Sequence, residues 1–312
     1  MSRARPASIF LAIAAAASLV RLDASGQVLL KNAFIEKYRN LVTITTDFKV
    51  DDAHPQPNPI GTSSQDGDLH MAGRSTDVGL PMVAELSNGR LTAVADVEKA
   101  IHQADGTGHA VHLSGVWRLW MEHKSAEPMQ QGDVVPVPAN TNPKHVFEIH
   151  PVTAFSGTPV LETFMPLRDD KDPSKHYQAT DAPTAFPRYE KETLTVSRGV
   201  TFTSIDGAQV PYNYTEFICE VAGQPAAVAD GTFVLAKILD LKKHVLVSDP
   251  RRMVVVKDSR PAALIGAAAA GDQFHVLGIP RINLDALMRA VQPNKKGTVS
   301  GAYEMIILAV IE

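Results

Sequence analysis

"RLTAVADVEKAIHQA" (90–104) is the stretch on which the fold turns. Leu91, Val94, Val97 and Ile101 recur at three- and four-residue spacing, with good helix formers between them. That spacing predicts an amphipathic helix with one apolar stripe, the chain's clearest. Upstream, "LVTITTDFKV" (41–50) sets Val42, Ile44, Phe48 and Val50 on one face of a half-buried strand. "DLHMAGR" (68–74) alternates after an Asp-Gly turn, and "LPMVAELSN" (80–88) reads as a third strand. Downstream, "AVHLSGVWRLWMEH" (110–123) is a long strand and "HVFEIHPVTAF" (145–155) is the fifth.

Three strands, a helix and two more strands are the element order of an OB-fold, a five-stranded Greek-key barrel. There the helix plugs one end of the barrel, which gives the apolar stripe of 90–104 a use. The expected fold is therefore mainly β, with an OB-fold domain over 27–155. Residues 156–188, rich in proline and aspartate and poor in periodicity, read as a linker. Residues 189–312 read as a second β-rich domain, with Asp206-Gly207 as a turn signal. An OB-like barrel over 230–312 is suggested by echoes of the first half. "LHMAG" resembles "KHVLV", "LPMVAELS" resembles "RRMVVVKDS", and "HVFEIHPV" resembles "AYEMIILAV".

The N-terminus carries Arg3 and Arg5 before the apolar run Ile9–Val20, followed by small residues in "LDASGQ". A positive start with a short apolar run predicts a secretory signal over 1–26, hence a periplasmic or secreted bacterial protein. No later run is long and apolar enough for a transmembrane helix. Cys219 is the only cysteine, so no internal disulfide is available, and its alternating strand context predicts a buried, inert thiol. The net charge of −4 and a pI near 6.3 argue against a dedicated nucleic-acid binder. No CxxC, HExxH, GxSxG, Walker loop or GxGxxG occurs, which removes the commonest enzyme assignments.

Eight of the eleven histidines lie between positions 50 and 150. Strand alternation puts Glu148 and His150 on one face, Asp68 and His70 on another strand's polar face, and Glu85 opposite Met82 and Leu86. His112 and Arg118 share a face of the fourth strand. A ligand-binding face of His70, Glu85, His112, Trp120, Glu148 and His150 is one expectation, with Trp120 as a stacking platform. Its bland counterpart is an ordinary solvated strand face, with both Trp117 and Trp120 packed in the core through a bulge after Gly115. A metal set of Asp66, Asp68, Glu148 and His150 is the other expectation, since carboxylate and imidazole together bind divalent cations.

"DGDLHMAG", "PMVAEL", "VHLSGVW" and "FEIHPV" together resemble a group of bacterial exported or cell-surface proteins with no settled activity, over about 41–155. A weaker similarity runs to the staphylococcal-type nucleases, also OB-folds, whose Asp-Gly-Asp turn supplies a calcium ligand; Asp68 matches that position. The family's following strand carries an arginine and an Asp-Thr-Pro, and this chain has "LPMVAELSN" instead. The phosphate clamp is absent, which argues against phosphodiester cleavage by that mechanism. The favoured reading is an exported non-catalytic binding protein whose ligand is an oligosaccharide or a protein. The alternative is a metal-dependent hydrolase or phosphodiesterase, for which a divalent cation is the candidate cofactor; no other cofactor is indicated. The sequence leaves open whether the protein is an enzyme.

Overall fold

The computed structural model describes residues 26–62 and 64–311; nearly all of the predicted signal segment lies outside them. The first half of the chain runs β1 (Val28–Lys31), α1 (Asn32–Tyr38), β2 (Thr43–Ala53), β3 (Leu69–Arg74), β4 (Met82–Leu86), α2 (Ala95–Ala104), β5 (Ala110–Leu119), β6 (Met129–Gln130) and β7 (Phe147–Phe155). The middle holds β8 (Thr158–Pro159), β9 (Thr180–Asp181), α3 (Ala182–Lys191), β10 (Thr193–Arg198) and β11 (Phe202–Asp206). The last part runs β12 (Thr215–Val221), β13 (Ala226–Val228), β14 (Gly231–Leu239), β15 (Val245–Val256), α4 (Arg260–Ile265), β16 (Gln273–Ile282), α5 (Leu284–Ala290), β17 (Lys296–Ser300) and β18 (Tyr303–Val310).

The protein is mainly β, built around two closed five-stranded barrels. In the first, the order is β2-β3-β4-β7-β5, and β5 returns to β2. The β4–β7 pair is parallel and the others antiparallel. The alternation of β2 is realised: Ile44, Phe48 and Val50 are buried while Thr45, Asp47 and Lys49 are exposed. Helix α2, led in by a 3-10 turn at Thr92–Val94, buries Val94, Val97, Ile101 and Ala104 in the barrel core. Register irregularities flank Gly115 in β5, where a Cβ would meet Pro151 O at 2.6 Å. The extra residues lie on β7 and β5 keeps its register against β2, so Trp117 faces the core in phase with Leu113 and Leu119, while Trp120, just past the end of β5, is buried against Tyr189. The Trp117 indole N–H donates to Leu41 O and that of Trp120 to Val210 O.

The second barrel repeats the plan as β12-β14-β15-β18-β16, closing to β12, with β15–β18 parallel and α4 between its third and fourth strands. It begins at Thr215 rather than near 230, because the strand holding buried Cys219 is its first. The echo of "HVFEIHPV" in "AYEMIILAV" holds, as both are fifth strands. "KHVLV" opens the third strand, so its likeness to the second-strand "LHMAG" reflects composition only.

A third sheet, β17-β10-β11-β1-β6, joins the two barrels. Its edge strands β6 and β17 each come from the segment between the fourth and fifth strands of a barrel. Segment 29–40, legible as either helix or strand, is both: β1 followed by α1. The hairpin turn here falls at Gly199, whose N–H donates to Phe202 O, and Asp206 instead ends β11. The 156–188 stretch is not a loose tether. Phe164, Leu167 and Asp169 are buried, Asn88 binds the carbonyls of Thr163 and Met165, and Asp181 caps α3. Proline at the start of α3 fits the missing N–H of a first helical turn, which is why this proline-rich stretch still forms a helix.

The barrels meet through their fourth strands in a reciprocal pattern. Arg118 Nε donates to Pro280 O at 2.9 Å, and Arg281 donates to Trp117 O at 2.9 Å. Each arginine pairs with a glutamate on the adjacent fifth strand: Arg118 with Glu148 at 2.5 Å, Arg281 with Glu304 at 2.6 Å. The Arg281 guanidinium also stacks 3.5 Å from the centre of the Trp117 ring. All four charges are buried. Asp230 completes the joint by accepting the backbone N–H groups of Val42 and Thr43.

Candidate functional site

Four neighbouring strands of the first barrel set the site. His70 on β3 is the cross-strand partner of Glu85 on β4, and Glu148 on β7 is that of Arg118 on β5. On β7, Glu148 and His150 point away from Phe147 and Ile149, which belong to the apolar core. This outward face is not solvated. Tyr214, arriving from just before β12, covers it, and Tyr177 of the connector packs edge-on against Tyr214. Asp68, Glu85, Glu148 and His150 are consequently buried. Burial of one barrel face beneath chain from the other half converts a surface strip into an enclosed cluster of charges.

His150 is its centre. Its Nε2 lies 2.9 Å from the Tyr214 hydroxyl and 3.2 Å from Asp68 Oδ2, and the same hydroxyl donates to Asp68 Oδ2 at 2.5 Å. Its Nδ1 faces Glu85 Oε2 at 3.2 Å and Glu148 Oε2 at 3.6 Å. Burial alone would depress the imidazole, but the carboxylates of Glu85, Asp68 and Glu148 outweigh it and raise its pKa to about 10. Burial, with the charge of Asp66 added, pushes the Asp68 carboxyl up to about 7 despite His150. Glu85 is shifted the other way: burial opposes its charge, and His150 and His70 more than compensate. Burial is also overcome at Glu148, which Arg118 and His145 hold well below the usual carboxylate range.

The cluster forms part of a cleft of about 460 Å³. Asp66, His70, Glu85, Arg118, Glu122 and Glu148 line one side, and residues of the connector and of 211–213 line the other. Asp68, Glu85 and His150 each offer a donor atom, and these atoms lie within 4.8 Å of one another. This set differs from the sequence-derived one. Asp66 Oδ1 is occupied by the Asn58 side-chain amide and the Asp68 N–H. Glu148 is clamped by Arg118 and His145. Glu85 takes the place that these two were expected to fill.

Two expected ligand-binding residues are elsewhere. His112 keeps the phase it shares with Arg118, but it stands near the exposed start of β5 and pairs with Asp47 at 3.1 Å. Trp120 is core, packed edge-on against Tyr189, and offers no open face for stacking. Sequence reasoning missed Tyr214, His145, Glu122 and Tyr177. Tyr214 and Tyr177 come from outside the first barrel, and Glu122 and His145 lie just beyond the ends of β5 and β7, so strand alternation carried no signal for where they sit.

The second barrel provides an internal comparison. Glu304 lies beside Arg281 as Glu148 lies beside Arg118. Two residues beyond each glutamate stand Ile306 and His150. Ile306 pairs with Val254 on the third strand, and Val254 with Phe233 on the second. The corresponding residues of the first barrel are Glu85, one step past the Ala84–Ile149 pair, and His70. Phe233, Val254 and Ile306 share one apolar cluster. The barrel plan is thus built without charge at these positions, and the imidazoles and carboxylates of the first barrel are not a demand of the fold.

No protein-family model, curated protein or solved structure matches the chain. The fold and site therefore define a class only: a two-barrel β protein with a buried carboxylate–imidazole cluster at the base of a polar cleft.

Proposed function

We propose that the protein is an exported OB-fold binding protein whose cleft takes a neutral, hydroxyl-rich ligand of oligosaccharide type. The observation that carries this reading is the cleft itself, whose polar walls come from both halves of the chain. Carboxylates at Glu122 and Glu85 and amides at Asn142, Gln178 and Asn213 suit sugar hydroxyls, and the rings of Tyr177 and Tyr212 suit the apolar face of a pyranose. OB barrels commonly bind such chains across an outer face. An anionic ligand is disfavoured, because Arg118, the arginine of the cleft lining, is buried and already neutralised by Glu148 and Glu122. The same lack of a free cationic clamp weighs against the phosphodiesterase alternative. Export rests on the N-terminal Arg3/Arg5 and Ile9–Val20 pattern. Among the described residues no helix is long and apolar enough to cross a membrane.

Screening a neutral oligosaccharide panel, followed by calorimetry, tests the binding reading. Micromolar binding to one class of glycan, weakened at least tenfold by Glu122→Gln or Asn213→Ala, is expected. Failure of all glycans with retention of a protein partner overturns it. N-terminal sequencing of the mature protein from a bacterial host checks the leader, with a start near residue 27 expected.

A further inference from the structure

Four buried side-chain atoms converge at the base of the cleft without a hydrogen-bond partner: Asp68 Oδ1, Glu85 Oε2, His70 Nε2 and His150 Nδ1. Two are oxygens and two are nitrogens. Glu85 Oε2 stands 3.2 Å from His150 Nδ1 and 3.5 Å from His70 Nε2. An unsatisfied polar atom in a protein interior is costly, and native structures hold few of them. Here four occur together, in the barrel whose twin fills the matching places with Phe233, Val254 and Ile306.

We propose that Asp68, Glu85 and His150, with His70 as a fourth donor, form a binding site for a divalent first-row transition ion of the zinc or manganese class. This goes beyond the saccharide reading; Glu85 belongs to both, and metal titration without glycan tests the ion site by itself. A mixed set of imidazole nitrogens and carboxylate oxygens suits zinc or manganese, whereas calcium and magnesium prefer oxygen alone. Donors about 2.0–2.1 Å from a tetrahedral ion stand roughly 3.4 Å apart. The separations around Glu85 Oε2 match that spacing, and the donor atoms of Asp68, Glu85 and His150 lie within 4.8 Å of one another.

The surrounding groups orient these donors. The Tyr214 hydroxyl holds Asp68 Oδ2 and faces His150 Nε2, which leaves Asp68 Oδ1 and His150 Nδ1 to the ion. Ser87 Oγ lies 2.8 Å from the same hydroxyl and fixes it in turn. Outer partners of this kind set ring orientation and ligand basicity at metal sites. Entry is from the cleft, whose wall includes half-buried His70 beside Glu85.

Isothermal titration of the chelator-stripped, full chain with Zn²⁺, and separately with Mn²⁺, tests the site, with Ca²⁺ and Mg²⁺ as comparisons. One ion per chain is expected, with Zn²⁺ or Mn²⁺ bound at least a hundredfold more tightly than Ca²⁺. Glu85→Gln and His70→Ala should each weaken binding at least tenfold, with circular dichroism reporting an intact fold. Should substitution at buried Asp68 or His150 prevent folding, Co²⁺ titration of the unaltered protein supplies the second measurement: a visible absorption band of nitrogen- and oxygen-ligated cobalt, changed in Glu85→Gln. Absence of stoichiometric binding, a preference for Ca²⁺, or affinity unaltered by Glu85→Gln and His70→Ala would each overturn the proposal.

Discussion

His150 shows how far a single residue's behaviour is set by what is folded over it. In an unfolded chain its imidazole titrates near 6.5. In the native protein Asp68, Glu85, Glu148, His70 and Tyr214 surround it, and its pKa rises to about 10. A group whose pKa is raised by folding stabilises the native state fully below its unfolded pKa, and that contribution is lost as pH climbs through the folded value. In metal-free protein, the stability difference between wild type and His150→Phe should therefore shrink steadily between about pH 6.5 and 10. Urea titrations across that range measure it; a difference that stays flat or grows contradicts the charged-imidazole account. Tyr214→Phe removes the donor to Asp68 Oδ2 and should cost about 1–3 kcal/mol, the penalty for stranding a buried acceptor. Denaturant midpoints for the two proteins check that figure.

At the scale of elements, the helix and strands of the first barrel were readable because alternation and the three-to-four spacing are local properties. Val94, Val97 and Ile101 were expected inward and are inward. Ile101 is wholly buried, so Ile101→Ala should destabilise by about 2–5 kcal/mol, whereas substitution of exposed Lys99 on the opposite face should change little. Thermal and urea unfolding of both variants would show the contrast. Where elements were misread, a nonlocal term intervened. His112 and Arg118 share a face of β5, but the second barrel meets only the Arg118 end of it, and Trp120 lies just past the strand's end, where Tyr189 packs against it. The first strand of the second barrel was legible as a strand around Cys219 but fell outside the expected 230–312 barrel, because its partners, β14 and β16, lie well downstream in the chain.

For the whole molecule, the reciprocal arginines join the two barrels. Arg281 touches Glu304 in its own barrel and the carbonyls of Trp117 and Val42 in the other. Burial drags the Arg281 pKa down to about 10 against the pull of Glu304, so its charge is held under strain from desolvation. Arg281→Met leaves Glu304 buried with only Arg252 as an ionic partner and should cost about 3–5 kcal/mol. Replacing both Arg281 and Glu304 with apolar residues should recover part of that loss, since a buried ion pair is often replaceable by packing. Equilibrium unfolding read by tryptophan fluorescence and by circular dichroism should give coincident transitions in wild type; separated transitions would mean that the barrels unfold independently.

The sequence by itself determined the β-rich class, the first barrel's element order, the buried single cysteine and the polar identity of His70, Glu85, Glu148 and His150. Each follows from a period of two or of three to four residues, which depends only on neighbours along the chain. The tertiary structure alone decided that this polar face is buried rather than wet. It also decided that Glu85 joins Asp68 and His150 while Asp66 and Glu148 are engaged elsewhere, and that Tyr214 closes the cluster from about sixty residues beyond His150. The reason is physical: alternation tells which side of a strand a residue occupies, but the environment of that side is fixed by whichever distant segment packs onto it.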